Sequence, residues 1–223
     1  MAVDARRRQK ALTRKAAKRK AKRHTHHSAA PHGPRALPHS AAQWPLFEVV
    51  VSNGWDDWQH LAELTVARRS PLGQIALGLF LVDLQCLGVK NAIAHVFPTA
   101  ADYQMFRYRQ SPAQSVDLNL AAKIVREGIA YAAQFGFKPH PDYHQASVVL
   151  GDADPEACHV PIPLGGPEGK PLFVAGPRDD VAAIMKRLTG AVGADGFEYV
   201  VALPLGADDE LVGEDRSEAG GET

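Results

Sequence analysis

Residues 74–84 read QIALGLFLVDL, the most apolar stretch of the chain, and predict a buried β-strand. Two apolar, β-branched runs precede it, residues 46–52 (LFEVVVS) and residues 61–68 (LAELTVAR). A turn signal follows each of these runs, Asn-Gly after the first and Ser-Pro-Leu-Gly after the second. Because the connections are short, we expect the three strands to form an antiparallel meander.

Two helices are predicted after the meander. Residues 117–135 carry apolar side chains at three- and four-residue steps, Asp117 fits as N-cap, and a glycine follows the last turn. Gly128 lies beside the apolar stripe and would allow close packing on the sheet. Residues 99–109 predict a shorter helix capped by Thr99.

The C-terminal third predicts three strands and one helix. Residues 160–164 and 170–175 are expected to form a hairpin across a glycine-rich turn, followed by a helix over 179–188 and a strand over 197–203. The order β-β-β-α-α-β-β-α-β predicts an α+β fold class, with a mostly antiparallel sheet and helices packed on the sheet.

Charge divides the chain of 223 residues into three parts. Residues 1–40 hold 12 Lys and Arg and one acid, and residues 206–223 hold seven acids and one Arg, so blocks of +11 and −6 underlie a net charge of +0. We expect a disordered basic arm and His/Pro-rich linker over residues 1–43, a single α+β domain over residues 44–205, and a disordered acidic tail over residues 206–223.

The composition excludes several classes of protein. With 45% hydrophobic residues the chain is neither wholly disordered nor collagen-like, and its two cysteines cannot supply a disulfide framework. No apolar run is long enough to cross a bilayer, and the N-terminal segment lacks the apolar core of a secretory signal. These features predict a cytoplasmic protein with no membrane partner.

The basic arm is the strongest functional signal. It has eleven cations in 18 residues and no aromatic side chain, a charge density suited to nucleic-acid phosphates rather than to base stacking. The residues expected to bind phosphates are Arg6, Arg7, Arg8, Lys10, Arg14, Lys15, Lys18, Arg19, Lys20, Lys22 and Arg23. The pattern predicts a non-enzymatic RNA- or ribosome-associated protein that needs no cofactor. A solubilising tail or an import signal has the same composition.

The alternative function is a nuclease or other phosphodiester hydrolase that depends on Mg²⁺ or Mn²⁺. Asp83 is a carboxylate within an apolar strand, where it must be paired, hydrogen-bonded or bound to metal. Prolines flank His140, and Asp142 follows in the same stiff turn. In this hypothesis Asp83 and Asp142 bind the metal and His140 activates water, so all three must converge.

Each of these residues also has a structural interpretation. Asp83 could pair with Lys90 or Arg68 inside the domain, and the turn around His140 could simply reverse the chain, with Asp142 capping a short helix. Three aromatic residues could form a stacking surface or could close one end of the core: these are Trp55, Trp58 and Tyr103.

Two segments resemble those of a bacterial family of basic-armed proteins. They are residues 80–91 (FLVDLQCLGVKN) and residues 129–143 (IAYAAQFGFKPHPDY). Members combine a short Lys/Arg arm, a first segment that contains Trp, and these two motifs, and the likeness spans about residues 1–190. No activity is established for this family, so the resemblance implies a bacterial cytoplasmic setting and transfers no catalytic role.

Overall fold

The computed structural model describes residues 37–200, and a five-stranded antiparallel sheet forms their centre. The strand order is β4-β3-β2-β1-β5. The strands are β1 (Leu46–Ser52), β2 (Ala62–Arg69), β3 (Ile75–Asp83), β4 (Gly88–Phe97) and β5 (Ala113–Ser115). Every neighbouring pair is antiparallel, so the α+β fold class with a mostly antiparallel sheet is confirmed.

Helices and a second, smaller sheet complete the described residues. The α-helices are α1 (Ala100–Arg107), α2 (Leu118–Ala133), α3 (Tyr143–Ala146) and α4 (Val181–Val192). Strands β6 (Leu172–Val174) and β7 (Glu198–Val200) pair in parallel, with α4 between them in the chain. None of the helices within residues 37–200 has the length and apolar character needed to cross a bilayer.

The meander has a fourth strand that the sequence did not reveal. The three predicted strands are present as β1, β2 and β3, and β4 continues the meander on the outer side of β3. β4 lies at the sheet edge, and its polar residues Lys90, Asn91 and His95 interrupt the apolar pattern that marks the other strands. β5 has only three residues and was likewise not predicted.

The predicted hairpin of residues 160–164 and 170–175 is wrong. Residues 160–164 form no strand, and β6 pairs in parallel with β7 instead. Pro161 and Pro163 lack the N–H groups that a ladder needs, which explains why the first segment stays irregular. Lys123 holds this segment on α2, because its Nζ donates to the carbonyl oxygens of Cys158 and Val160 at 2.8 Å each.

The helices predicted from the sequence are present with their caps. Thr99 accepts a hydrogen bond from the amide of Asp102 at the start of α1, and Asp117 accepts one from Asn119 at the start of α2. α4 begins two residues later than predicted and extends to Val192, and β7 confirms a strand within the predicted 197–203. Residues 201–203 of that prediction lie outside the described residues.

The two faces of the main sheet pack against different helices. Even-numbered residues of β2 and β3, such as Leu64 and Phe80, form the larger core with α2 and α3. Odd-numbered residues, such as Ile75 and Leu77, pack with Tyr103 of α1 on the opposite face. This second cluster places α1 across that face, with Tyr103 against Phe97 of β4 and Phe47 of β1.

A third apolar cluster joins the β3–β4 turn to the C-terminal elements. Cys86 and Leu87 of this turn pack with Phe173 of β6, Leu188 of α4 and Phe197. We call β6, α4 and β7 together the C-terminal unit. Its docking explains why an apolar turn at the end of β3 is fully covered.

The packed region begins before Trp44, the predicted start of the domain. Leu37 and Ala41 are buried in the larger core. Arg68 of β2 attaches this segment to the sheet, because its Nη1 donates to the carbonyl oxygen of Trp44 at 2.8 Å. Its Nη2 donates to Asp152 Oδ1, also at 2.8 Å.

Candidate functional site

The predicted phosphate-binding arm lies outside the described residues. The eleven cations from Arg6 to Arg23 and the acidic tail over 206–223 precede and follow residues 37–200. Support for the role of the arm and the tail therefore comes from their sequence and from the charges of the domain.

Asp83 is placed at the end of β3, where its carboxylate holds the β3–β4 turn. Oδ1 accepts hydrogen bonds from the backbone N–H groups of Gln85, Cys86 and Leu87, at 3.0, 2.9 and 3.2 Å. The residue is only 3% exposed, and this burial raises the pKa of the Asp83 carboxyl despite the opposing effect of the three N–H groups. The geometry is that of a turn cap.

Neither basic residue expected beside Asp83 forms an ion pair with it. The Lys90 Nζ lies 2.7 Å from Asp179 Oδ2, and Arg68 pairs with Asp152. Lys90 still acts on Asp83 through space, because its charge opposes the burial effect and lowers the pKa of that carboxyl. Asp83 is therefore stabilised chiefly by its own turn.

His140 and Asp142 lie next to each other, as the sequence predicts. The His140 Nδ1 is 3.9 Å from Asp142 Oδ2 and accepts a hydrogen bond from the Asp142 backbone N–H at 3.2 Å. The His140 backbone N–H donates to the carbonyl oxygen of Val89 at 2.9 Å, which fixes the turn against β4. Asp142 precedes α3 but makes no side-chain capping bond.

The structure does not join Asp83 to this pair as a metal site. Within residues 37–200, no three His, Cys, Asp or Glu side chains are grouped closely enough to hold a metal ion. Asp83 Oδ1 also accepts from three backbone N–H groups of its own turn, so this oxygen is not available to a metal ion. The Mg²⁺- or Mn²⁺-dependent hydrolase stays a prediction for an activity assay.

The three aromatic residues do not form one surface. Trp55 is 6% and Tyr103 1% exposed, so both belong to the apolar clusters, whereas Trp58 is 39% exposed. The structural interpretation therefore holds for Trp55 and Tyr103.

A cleft between β1 and α1 brings together polar and aromatic side chains that sequence reasoning missed. We call it the β1–α1 cleft; it has a volume of about 520 Å³ and is lined by Phe47, Glu48, Tyr103, Gln104, Arg107 and Tyr108. Glu48 is a single acid in an apolar strand, and this is the sequence signal that could have revealed it.

An ion pair and a buried hydroxyl organise the β1–α1 cleft. The Tyr103 hydroxyl donates to Glu48 Oε2, and Arg107 Nε lies 3.4 Å from the same oxygen. Burial and the Glu48 carboxylate raise the pKa of Tyr103, so its hydroxyl stays a donor. Arg107 Nε is buried and has no hydrogen-bond partner within the described residues. The cleft therefore presents a fixed carboxylate beside a guanidinium group.

Comparison with protein-family models, with curated proteins and with solved structures gives no match for this chain.

Proposed function

We propose that this protein is a non-enzymatic, cytoplasmic RNA- or ribosome-associated protein that binds phosphates through its basic arm. The observation that carries the proposal is the arm itself, with eleven cations and no acid in 18 residues. Such a segment gains affinity by releasing counterions from a polyphosphate.

The charges of the domain support the arm as the source of phosphate affinity. Residues 41–205 hold 12 Lys and Arg against 17 Asp and Glu, a net charge of −5. Within residues 37–200, the following six cations have a carboxylate oxygen within 3.7 Å: Arg68, Lys90, Arg107, Lys123, Arg126 and Lys170. An anionic domain in which half of the twelve Lys and Arg are paired with carboxylates adds little to the binding of an RNA backbone.

The acidic tail gives the arm an intramolecular competitor. Its net charge of −6 opposes the +11 of residues 1–40. Carboxylates on the same chain compete with RNA phosphates at a high effective concentration, so they lower the apparent affinity for RNA.

The test replaces all eleven arm cations by Gln in the full-length protein and measures binding to RNA and co-sedimentation with ribosomes. For the wild type, log K is expected to fall by about 0.7 per neutralised phosphate as log salt rises, so the slope is no steeper than about −8. The variant should lose both the affinity and this salt dependence. Unchanged co-sedimentation of the variant contradicts the proposal.

A matched control changes charge at the other end of the chain. The seven tail acids are replaced by their amides: Asp208, Asp209, Glu210, Glu214, Asp215, Glu218 and Glu222. We expect tighter RNA binding from this control, which would show that replacing several charged residues does not by itself abolish binding.

The same preparations test the hydrolase alternative. Labelled RNA and DNA are incubated with Mg²⁺ or Mn²⁺ and the wild type or Asp83→Asn. Intact substrates agree with a non-enzymatic protein, and cleavage that vanishes in Asp83→Asn would replace our proposal with the hydrolase.

A further inference from the structure

We infer that the β1–α1 cleft binds one unpaired nucleobase of the RNA, with guanine preferred. The inference deepens the proposed RNA binding and rests on it, because the arm contacts phosphates without reading sequence. The cleft would add a base preference to that contact.

Tyr108 supplies an aromatic face at the mouth of the cleft. Its side chain is 92% exposed directly after α1, and Phe47 forms another apolar part of the wall. An exposed tyrosine ring gains from covering its face, and unpaired RNA bases stack on such rings. A volume of about 520 Å³ is ample for one base and part of its ribose.

The floor of the cleft has the polar groups that a base edge requires. Tyr103 and Arg107 both approach Oε2 of Glu48, so neither of them occupies Oε1, the second acceptor of this carboxylate. Arg107 Nη1 donates to the carbonyl oxygen of Ser111 at 3.3 Å, which holds the guanidinium in place. The cleft thus pairs a carboxylate acceptor with guanidinium donors, in fixed positions.

Guanine matches this pair better than the other bases. It has two adjacent N–H donors, N1–H and the N2 amino group, which a carboxylate oxygen can accept. It also has two adjacent acceptors, O6 and N7, which an arginine recognises. Adenine and cytosine place an amino group beside their acceptors, and this group repels a guanidinium. Uracil has a single N–H donor on this edge, one fewer than guanine offers to a carboxylate.

A rim cation connects the cleft to the RNA backbone. Arg109 follows Tyr108 by one residue, is exposed, and lines the surface that adjoins the cleft at Tyr108. A phosphate next to the stacked base would lie within reach of this side chain. The cleft then holds a nucleotide rather than a free base alone.

The experiment measures binding of full-length protein to oligouridines that carry one central guanosine, adenosine or cytidine, and to plain oligouridine. The wild type should bind the guanosine oligonucleotide most tightly. Tyr108→Ala should weaken that binding at least about fivefold, the lower end of what one stacked base contributes, and by more than it weakens plain oligouridine, whose single-ring base has less surface to stack. Tyr199→Ala is the matched control, since Tyr199 of β7 is also an exposed tyrosine, at 58%, but does not line the cleft.

A second variant tests recognition of the base edge separately from stacking. Glu48→Gln, checked for retained folding by circular dichroism, should lower guanosine discrimination about tenfold while the stacking contribution persists. Equal wild-type affinity for all four oligonucleotides, or full guanosine preference in both cleft variants, overturns the inference. Failure of the arm proposal is distinguishable, because neutralising the arm would then leave the affinity for every oligonucleotide unchanged, whereas failure of the cleft inference appears as equal affinity of the wild type for all four.

Discussion

Asp83 shows how a buried carboxylate can be satisfied by the backbone of its own turn. Three consecutive N–H groups converge on Oδ1, so the charge has partners although no cation pairs with it. The cost of removing the carboxylate from water outweighs these hydrogen bonds, so the pKa of the Asp83 carboxyl is raised in the folded protein. This residue therefore couples the stability of the β3–β4 turn to pH.

Asp83→Asn should remove a component of the pH dependence of stability. Because the folded-state pKa lies above the unfolded value of 3.8, the contribution of Asp83 is fully present below that value and is lost as the pH rises through the folded pKa. The free energy of unfolding of both proteins is measured with urea from about pH 3 to pH 8. As the pH rises, the wild type should lose stability relative to the variant. Parallel stability profiles would contradict this linkage.

The residues of the candidate sites differ in how far the sequence revealed them. Asp83 was conspicuous as an acid in an apolar strand, but its partners are backbone N–H groups, which leave no mark in a sequence. Tyr108 follows an ordinary amphipathic helix, and its exposure depends on how α1 crosses the sheet. Glu48 and Arg107 meet only because β1 and α1, distant in the chain, pack together.

At the scale of elements, α2 packs on the sheet through a glycine. A Cβ at Gly128 would lie 2.7 Å from Val82 Cγ1, closer than side-chain atoms normally approach. The close approach predicted for Gly128 is therefore confirmed. Gly190 in α4 is different, because a Cβ added there would have no heavy atom within 4 Å beyond its chain neighbours and its own helix backbone.

The two helical glycines provide a matched pair of alanine substitutions. Ala favours a helix over Gly by about 1 kcal/mol, so Gly190→Ala should raise the free energy of unfolding by up to that amount. Gly128→Ala gains the same propensity but overpacks the core, which costs typically about 1–3 kcal/mol, so a net loss is expected. Chemical denaturation measures both, and a stabilising Gly128→Ala would show that the sheet yields at this contact.

The elements that local patterns define were predicted, and those that depend on distant pairing were not. The helix caps Thr99 and Asp117 act within a few residues, and the apolar runs of the meander are read directly from the chain. The parallel pairing of β6 with β7 is set by the helix between them and by docking on the β3–β4 turn. Pro161 and Pro163 disfavour residues 160–164 as the partner strand, but nothing near β6 in the sequence identifies β7 in their place.

At the scale of the whole molecule, the β3–β4 turn is the platform for the C-terminal unit. The Leu84 carbonyl oxygen accepts from the Gly165 N–H at 3.0 Å, and the Gln85 carbonyl oxygen accepts from the Leu172 N–H at 3.2 Å. The Lys90–Asp179 ion pair fixes the loop before α4 to β4. The segment that contains Asp83 therefore works as a structural joint.

Phe173→Ala should loosen the C-terminal unit before it affects the meander. Phe173 is fully buried, and such truncations cost about 3–5 kcal/mol. Thiol labelling of buried Cys86, in a Cys158→Ser background, should accelerate while amide hydrogens of β2 and β3 stay protected from exchange.

The control for this prediction lies in the larger core. Phe80→Ala removes an equally buried ring from β3. It should speed Cys86 labelling and amide exchange of the meander together, because the platform itself is weakened. Simultaneous exposure of both regions in Phe173→Ala would mean that the domain opens as one unit.

The attachment of the C-terminal unit has a consequence for the order of assembly. Successive strands of the meander are joined by connections of at most nine residues, whereas the Lys90–Asp179 pair joins positions 89 residues apart. Closing so long a loop is entropically costly and becomes favourable only when its target already exists. During refolding, the meander should thus appear early as a template, and the last third of the described chain should condense onto it in a later kinetic step.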